Sequence, residues 1–423
     1  MLVLERDRTP AGSTSLSAGF IPAAGTRFQR AAGVADDTPE TLAADILAKT
    51  RHTADRHEAL RVAHAVGPAL EWLADAHGIP FHVLQGFLYP GHTRLRMHAV
   101  PERTGAALLA RLLRAAEVAG VQIVTGAQAT ELFAAPDGRV AGVRVVRPGG
   151  GTEDVACDSL VLACNGYGGA PDLVRRHIPD LADAIYFGHS GNQGDALRWG
   201  AELGAVARDL GGCQGHGSVA HPHGIPITWA LMMEGGIQVN GEGRRFWNEH
   251  EGYSEGAVAV LRQPGGIAWD VFDERLHRLG MDFEDFRTAE AADAVRHAAD
   301  AESLADICGL PCDALAATLA EVQALVRVQA TDAFGRRFDK PPLAPPFHAI
   351  RVTGALFHTQ GGLLVDDDAR VLRADGTALA NLFAGGGAVR GVSGDAVWGY
   401  LSGNGLLTAV AYGYLAGRAA ARR

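Results

Sequence analysis

Aromatic residues make up only 7% of the 423-residue chain, and cysteines number five. No apolar run approaches the roughly 20 residues that a membrane span needs. No lysine or arginine block appears. The net charge of −10, from 38 Lys+Arg against 48 Asp+Glu, argues against nucleic acid as the partner. Neither a C-x-x-C-H motif nor iron–sulfur spacing occurs, so no haem or cluster is expected within the chain. The opening residues show no leader pattern. The cysteines at 157, 164, 213, 308 and 312 read as reduced thiols, and a cytoplasmic location is expected. Cys308 and Cys312 flank Gly309-Leu310-Pro311, read as a turn between two helices. His216, His221 and His223 have no cysteine or carboxylate to complete a zinc set, so no metal is expected. The dinucleotide-binding motif G-x-G-x-x-G is also absent.

What is present begins at once. Met1-Leu2-Val3-Leu4 is a short apolar run closed by Glu5, and a loop rich in Ser, Thr and Gly follows at 12–25. The order matches the second strand of a Rossmann-type unit, whose closing acid binds the adenosine ribose. The first strand and its phosphate loop are missing from this reading. Three accounts stay open: a true start about 30 residues upstream, suggested by Met1 falling in mid-strand register; a degenerate, non-catalytic homologue; or a binding module without cofactor. The 54 glycines suit a backbone that approaches a ligand closely.

Helical spacing covers residues 38–74 and 104–119, and the second helix runs into a buried-strand signal at 121–124. Two β-rich runs at 139–146 and 154–155 flank Pro148-Gly149-Gly150-Gly151, a hairpin turn. Residues 159–166 read as a fully buried strand. From 211 to 357 the chain looks loop-rich, with a strand at 237–240 and helices near 290–330, and prolines 341, 342, 345 and 346 mark its exit. Residues 402–420 read as a closing helix. The expected fold class is α/β: a Rossmann-like domain lacking its first strand (1–210 and 358–423), with an inserted α+β cap (211–357).

Several segments together carry a family resemblance. They are the 12–25 loop, Asn165-Gly166-Tyr167-Gly168-Gly169, Gly194-Asp195, Val239 through Glu249, His358-Thr359-Gln360-Gly361-Gly362 and Tyr412 through Gly417. In this order the chain resembles, over nearly its whole length, the FAD-dependent fumarate reductases, succinate dehydrogenase flavoproteins and 3-ketosteroid dehydrogenases. The resemblance implies FAD, held non-covalently because no histidine stands in the 12–19 loop. Glu5 would take the ribose, and Ser13, Thr14, Ser17, Ala18 and Gly19 the pyrophosphate and flavin. Ala129 would lie against adenine, Asp195 near the flavin end and His358 beside the isoalloxazine. Gly386, Asn404, Gly405 and Leu406 would complete the cofactor set, with the closing helix aiming its N–H groups at the flavin. Gly387 stands where reductase relatives carry a glutamate.

The same resemblance tests the substrate. His216 and Thr228 match a pair that holds one carboxylate in the reductases. At the positions of the second carboxylate's histidine and arginine stand Phe357 and Tyr400, and at the proton-donating arginine stands Tyr253. The proton relay corresponds to Trp229 and Met232. An unpartnered buried carboxylate costs several kcal/mol, so a dicarboxylate is disfavoured and a neutral ring ketone favoured. Tyr253, Tyr400 and Ser402 are then the expected catalytic residues, and His216, Thr228, Phe357 and Tyr89 the substrate-binding ones. Arg245 reads as structural, paired with Glu249. The expected reaction is oxidation or reduction of a CH–CH bond beside the ketone of an apolar small molecule, with an external electron acceptor or donor. A fumarate reductase-like enoate reductase is the alternative.

Overall fold

The computed structural model describes residues 1–422. The chain forms two compact units, one from Met1–His177, Gly188–Cys213 and the residues from His358 onward, the other from Ile178–Phe187 and Gln214–Phe357. Residues 178–187, read above as part of the first domain, fall in the second unit. Ile185–Tyr186 pairs in parallel with Ala355 and Leu356, which draws the segment there.

The core of the first unit combines helices with strand residues such as Leu162, Leu382 and Phe383. Arg56–His77 packs along Asn404–Ala420, with Val62, Val66 and Leu70 in one apolar cluster with Leu407 and Ala411. Asp55 starts the former helix by accepting the backbone N–H groups of His57 and Glu58, and Gly78 ends it at φ 66°. Small sheets surround this pair. Leu2–Leu4 pairs in parallel with Gln122–Val124. Leu160–Leu162 pairs in parallel with Ala378–Ala384. The expected hairpin is Val140–Val146 with Thr152–Ala156, and Gln128–Ala134, which the sequence reading did not find, adds a third antiparallel strand.

Two burial expectations are corrected. Val161 is 39% exposed, and at 121–124 Gln122 is exposed while Ile123 and Val124 are half-buried. The cause is shared: among the described residues, each strand has a neighbour on one side only.

The second unit corrects the loop-rich reading of 211–357. It holds a seven-stranded sheet ordered Ile225–Pro226, Cys213–Ala220, Phe347–Thr359, Ile267–Asp273, Ile237–Val239, with Ile185–Tyr186 and Val295–Ala298 also on the long strand. Val271, Phe272, Ile350 and Val352 are fully buried here, each contributing about 1.5–3 kcal/mol. The helix Tyr253–Leu261 lies directly on Cys213–Ala220: a Cβ on Gly217 would meet the Gly256 backbone carbon at 2.3 Å.

Candidate active site

In the first unit, Tyr400, Asn404, Gly405 and His358 converge at the amino end of the closing helix. Gly403 precedes that helix at φ 86°. A Cβ on Gly405 would come within 2.7 Å of His358 Nε2, so the imidazole rests on bare backbone. The His358 and Tyr400 rings meet edge to face, centroids 5.4 Å apart. Gly405 N–H donates to Tyr400 Oη at 3.4 Å. Burial raises the Tyr400 phenol above its ordinary range despite that N–H, so it keeps its proton at neutral pH. Burial also holds the His358 imidazole below its usual value, which leaves it neutral. Leu406 packs against the first unit's core, and Gly386 opens a short turn beside the closing helix at φ 60°. At Gly387 a Cβ would sit 2.2 Å from Asn165 Oδ1, which explains why no larger residue stands there.

Ser402 is buried, and its carbonyl accepts from His92 Nε2 at 2.9 Å. The loop carrying Tyr89 is thereby tied to the Tyr400–Ser402 segment; Tyr89 itself packs against Phe20 and Phe87. Sequence reasoning missed what holds this loop. Arg96, fully buried, makes a bidentate pair with Asp37 at 2.8 Å per bond and bonds Asp45 as well. Arg96 Nη1 also faces His92 Nδ1 at 3.4 Å, which leaves Nε2 as the nitrogen that donates to Ser402. Arg96 sits between Leu95 and Met97 with Arg94 two residues before it, and nothing in that local pattern marks it as the buried one.

The proposed front of the cofactor site lies in the same unit. Glu5 accepts the Asp7 N–H at 2.9 Å. Ser13 Oγ accepts from His189 N and Asn192 Nδ2 at 3.1 and 3.0 Å. Ser17 Oγ donates to the Thr14 carbonyl at 2.7 Å and accepts from Gly19 N at 3.1 Å. Ala18 is exposed and Gly19 buried. Asp195 opens the helix Asp195–Glu202 and pairs with Arg198 at 2.8 Å. Ala129 is half-buried opposite Val145.

In the second unit, rings from separate elements form a continuous stack. Tyr253 lies on His216 (5.1 Å, 18°), His216 on Phe357 (5.0 Å, 15°), and Phe357 on Phe187 (4.9 Å, 27°). Burial lowers the His216 imidazole to about 4, so the ring is neutral. Ser218 N–H donates to its Nδ1 at 3.2 Å, placing the ring proton on Nε2. Trp229 stands edge-on to His216, and its Nε1 donates to the Glu249 carbonyl at 3.1 Å. Thr228 stands apart from this stack in its contacts, its hydroxyl accepting the Ala230 N–H at 3.3 Å.

The nearby cations of this unit are engaged. Arg245 pairs with Glu249 at 2.6 Å, as expected, and with Asp332 at 2.5 Å; Arg336 pairs with Glu249 at 2.9 Å. Burial pushes the Glu249 carboxyl up, but Arg336 and Arg245 outweigh it and hold it at about 2. The buried Met232 carbonyl accepts from Arg336 and His250. His221 is half-buried and His223 exposed.

A family model described as the FAD binding domain matches residues 1–406. The chain belongs to this FAD-binding family. Over 426 residues this FAD-binding protein is 29% identical to the NADH:fumarate oxidoreductase of Klebsiella pneumoniae (strain 342), and the match covers 100% of this chain and 45% of that protein. It thus spans under half the length of that relative. The open conformation of a flavocytochrome c3 fumarate reductase superposes with TM-score 0.81 at 25% identity, covering 100% of this chain and 73% of the other. The 3-ketosteroid-delta4-(5alpha)-dehydrogenase of Rhodococcus jostii RHA1 superposes with TM-score 0.77 at 25% identity, covering 100% and 92%. FAD is therefore the cofactor, and the protein is a flavin-dependent oxidoreductase. Among the described residues no helix is long and apolar enough to cross a membrane.

The residues at the closing helix fit a flavin. Asn404 Oδ1 is buried with no protein partner, Gly405 offers bare backbone, and the 17-residue helix directs its positive end there.

Proposed function

We propose that this protein dehydrogenates, or in the opposite direction reduces, a carbon–carbon bond next to the ketone of an apolar ring compound. The observation that carries the reading is the uncharged stack Tyr253–His216–Phe357–Phe187, with His216 neutral and Arg245 and Arg336 committed to Glu249. A dicarboxylate placed against such rings loses its hydration without gaining a cation, at a cost of several kcal/mol. A neutral ring pays no such penalty.

In this reading Tyr400, protonated and buried, donates to the ketone oxygen together with Ser402. Tyr253, the first residue of the helix Tyr253–Leu261, takes the α-proton. His216, Thr228, Phe357 and Tyr89 hold the substrate rings. FAD, when bound, supplies the hydride acceptor or donor. We assign its binding to Glu5, Ser13, Thr14, Ser17, Ala18, Gly19, Ala129, Asp195, His358, Gly386, Asn404, Gly405 and Leu406, with an external carrier exchanging the electrons.

A second reading, reduction of fumarate, is favoured by the name of the Klebsiella relative. Anaerobic mixing of the FAD-loaded chain with saturated ring ketones and, separately, with succinate distinguishes the two. The expected result is bleaching of the visible flavin band by a ketone and none by succinate. Bleaching by succinate with every ketone inert overturns the proposal.

A further inference from the structure

A different set of side chains in the second unit carries a site that this chemistry does not use. Where Val295–Ala298 pairs with Phe347–Thr359, His297 stands directly opposite His348, and their Nδ1 atoms are 2.8 Å apart. His348 Nε2 lies 3.2 Å from Glu274 Oε2. His297 Nε2 lies 3.1 Å from Glu290 Oε1, and His277 Nε2 lies 3.1 Å from Glu290 Oε2. Glu274 and His277 belong to the helix Glu274–Gly280, and Glu290 to Glu284–Ala291. Phe272 backs His348 and Phe286 backs His277, which limits the motion of both rings.

Ligand atoms of His277, Glu290 and His297 all lie within 4.8 Å of one another. Tetrahedral zinc with nitrogen and oxygen ligands at about 2.0–2.1 Å sets those ligands roughly 3.3 Å apart. Small rotamer adjustments therefore close the sphere.

The surroundings of His297 are arranged in the same sense: with its Nε2 turned to Glu290, its Nδ1 faces His348 Nδ1, and His348 Nε2 faces Glu274, so a chain of polar atoms runs outward from the three ligand groups.

We propose that His277, Glu290 and His297 bind a divalent transition-metal ion of the zinc class, with His348 and Glu274 orienting His297. Imidazole and carboxylate are the ligand types that zinc accepts, and the hydrogen-bonded His348–Glu274 pair is the outer layer such sites carry. The His297 side chain is 48% exposed, so water has access to the fourth position. The ion would tie two helices to an edge strand.

The test uses the untagged, FAD-loaded full chain, stripped with chelator and titrated calorimetrically with zinc chloride. One ion per chain is expected, with cobalt(II) giving visible d–d absorption at the same stoichiometry. His297→Ala, at a half-exposed position that tolerates truncation, abolishes saturable binding and the cobalt bands, as does Glu290→Gln. His348→Ala weakens zinc binding about 10–100-fold. No stoichiometric uptake by the unaltered chain overturns the proposal. So does unchanged affinity in His297→Ala whose far-ultraviolet circular dichroism matches the parent.

Discussion

Replacing Asp270 with asparagine should stabilise this protein at neutral pH and leave it unchanged in acid. Asp270 is 1% exposed in the strand Ile267–Asp273. It bonds Ser218 Oγ and accepts from Gln238 Nε2 at 2.8 Å, and no cation faces it in those contacts. Burial raises its carboxyl from 3.8 to about 7, with Glu249 adding to the rise against the opposing bonds from Ser218 and Gln238. Between those two values the folded chain holds a proton that the unfolded chain has released. Stability is therefore full below 3.8, falls as pH rises, and reaches its floor above about 7. About three pH units at about 1.4 kcal/mol each make the loss on the order of 4 kcal/mol. Asparagine removes the titration yet keeps both bonds, since its Nδ2 donates to Ser218 and its Oδ1 accepts from Gln238. Urea unfolding of both proteins from pH 4 to pH 8 gives the difference curve directly. It should start near zero, climb through the interval and level off above about pH 7 in favour of the variant. A difference that stays flat with pH would refute the reasoning, because it would mean the buried carboxyl never held the proton.

Tyr400→Phe should lower the rate of anaerobic flavin reduction by a responsive ketone by about 10²–10³ while shifting the Tm little. The hydroxyl that is lost accepts a long bond from Gly405, and an unchanged rate removes Tyr400 from the chemistry. Asp37→Ala leaves the buried Arg96 guanidinium with Asp45 alone and should cost about 3–5 kcal/mol in denaturant titration. A cost below about 1 kcal/mol would show that this pair does not anchor the loop tied to Ser402.

Helices and tight turns were legible because their signals are local. Residues 104–119 gave Gly105–Val118, and the turn at Gly309 separates Ala301–Cys308 from Cys312–Arg327. In the second unit the strand at 237–240 and the helices near 290–330 were legible, but the sheet as a whole was not, because it is built from distant segments. Phe347–Thr359 finds partners at 185, 213, 267 and 295, and no periodicity within any one of them announces the others. Glycine misled as well. In Cys213-Gln214-Gly215-His216-Gly217 the glycines look like loop punctuation, yet they are strand residues on which a helix lies. The candidate rings at 216, 253 and 357 were picked out by family resemblance, whereas their stacking order needed coordinates. The Arg96 clamp and the His277–Glu290–His297 trio were invisible, since each unites side chains from different elements whose mutual approach no local pattern encodes.

The contact between Gly217 and Gly256 constrains how this protein can change. Two backbones meet there with no side chain between them, so there is nothing to shorten or lengthen in compensation for a mutation. Even a single methyl group would lever the Tyr253 helix away and carry its phenol out of alignment with the imidazole. New ligand preferences must therefore come from exchanging the rings themselves on a fixed frame. A library built at 216, 253 and 357 would explore function, while one reaching 217 or 256 would mostly sample broken proteins.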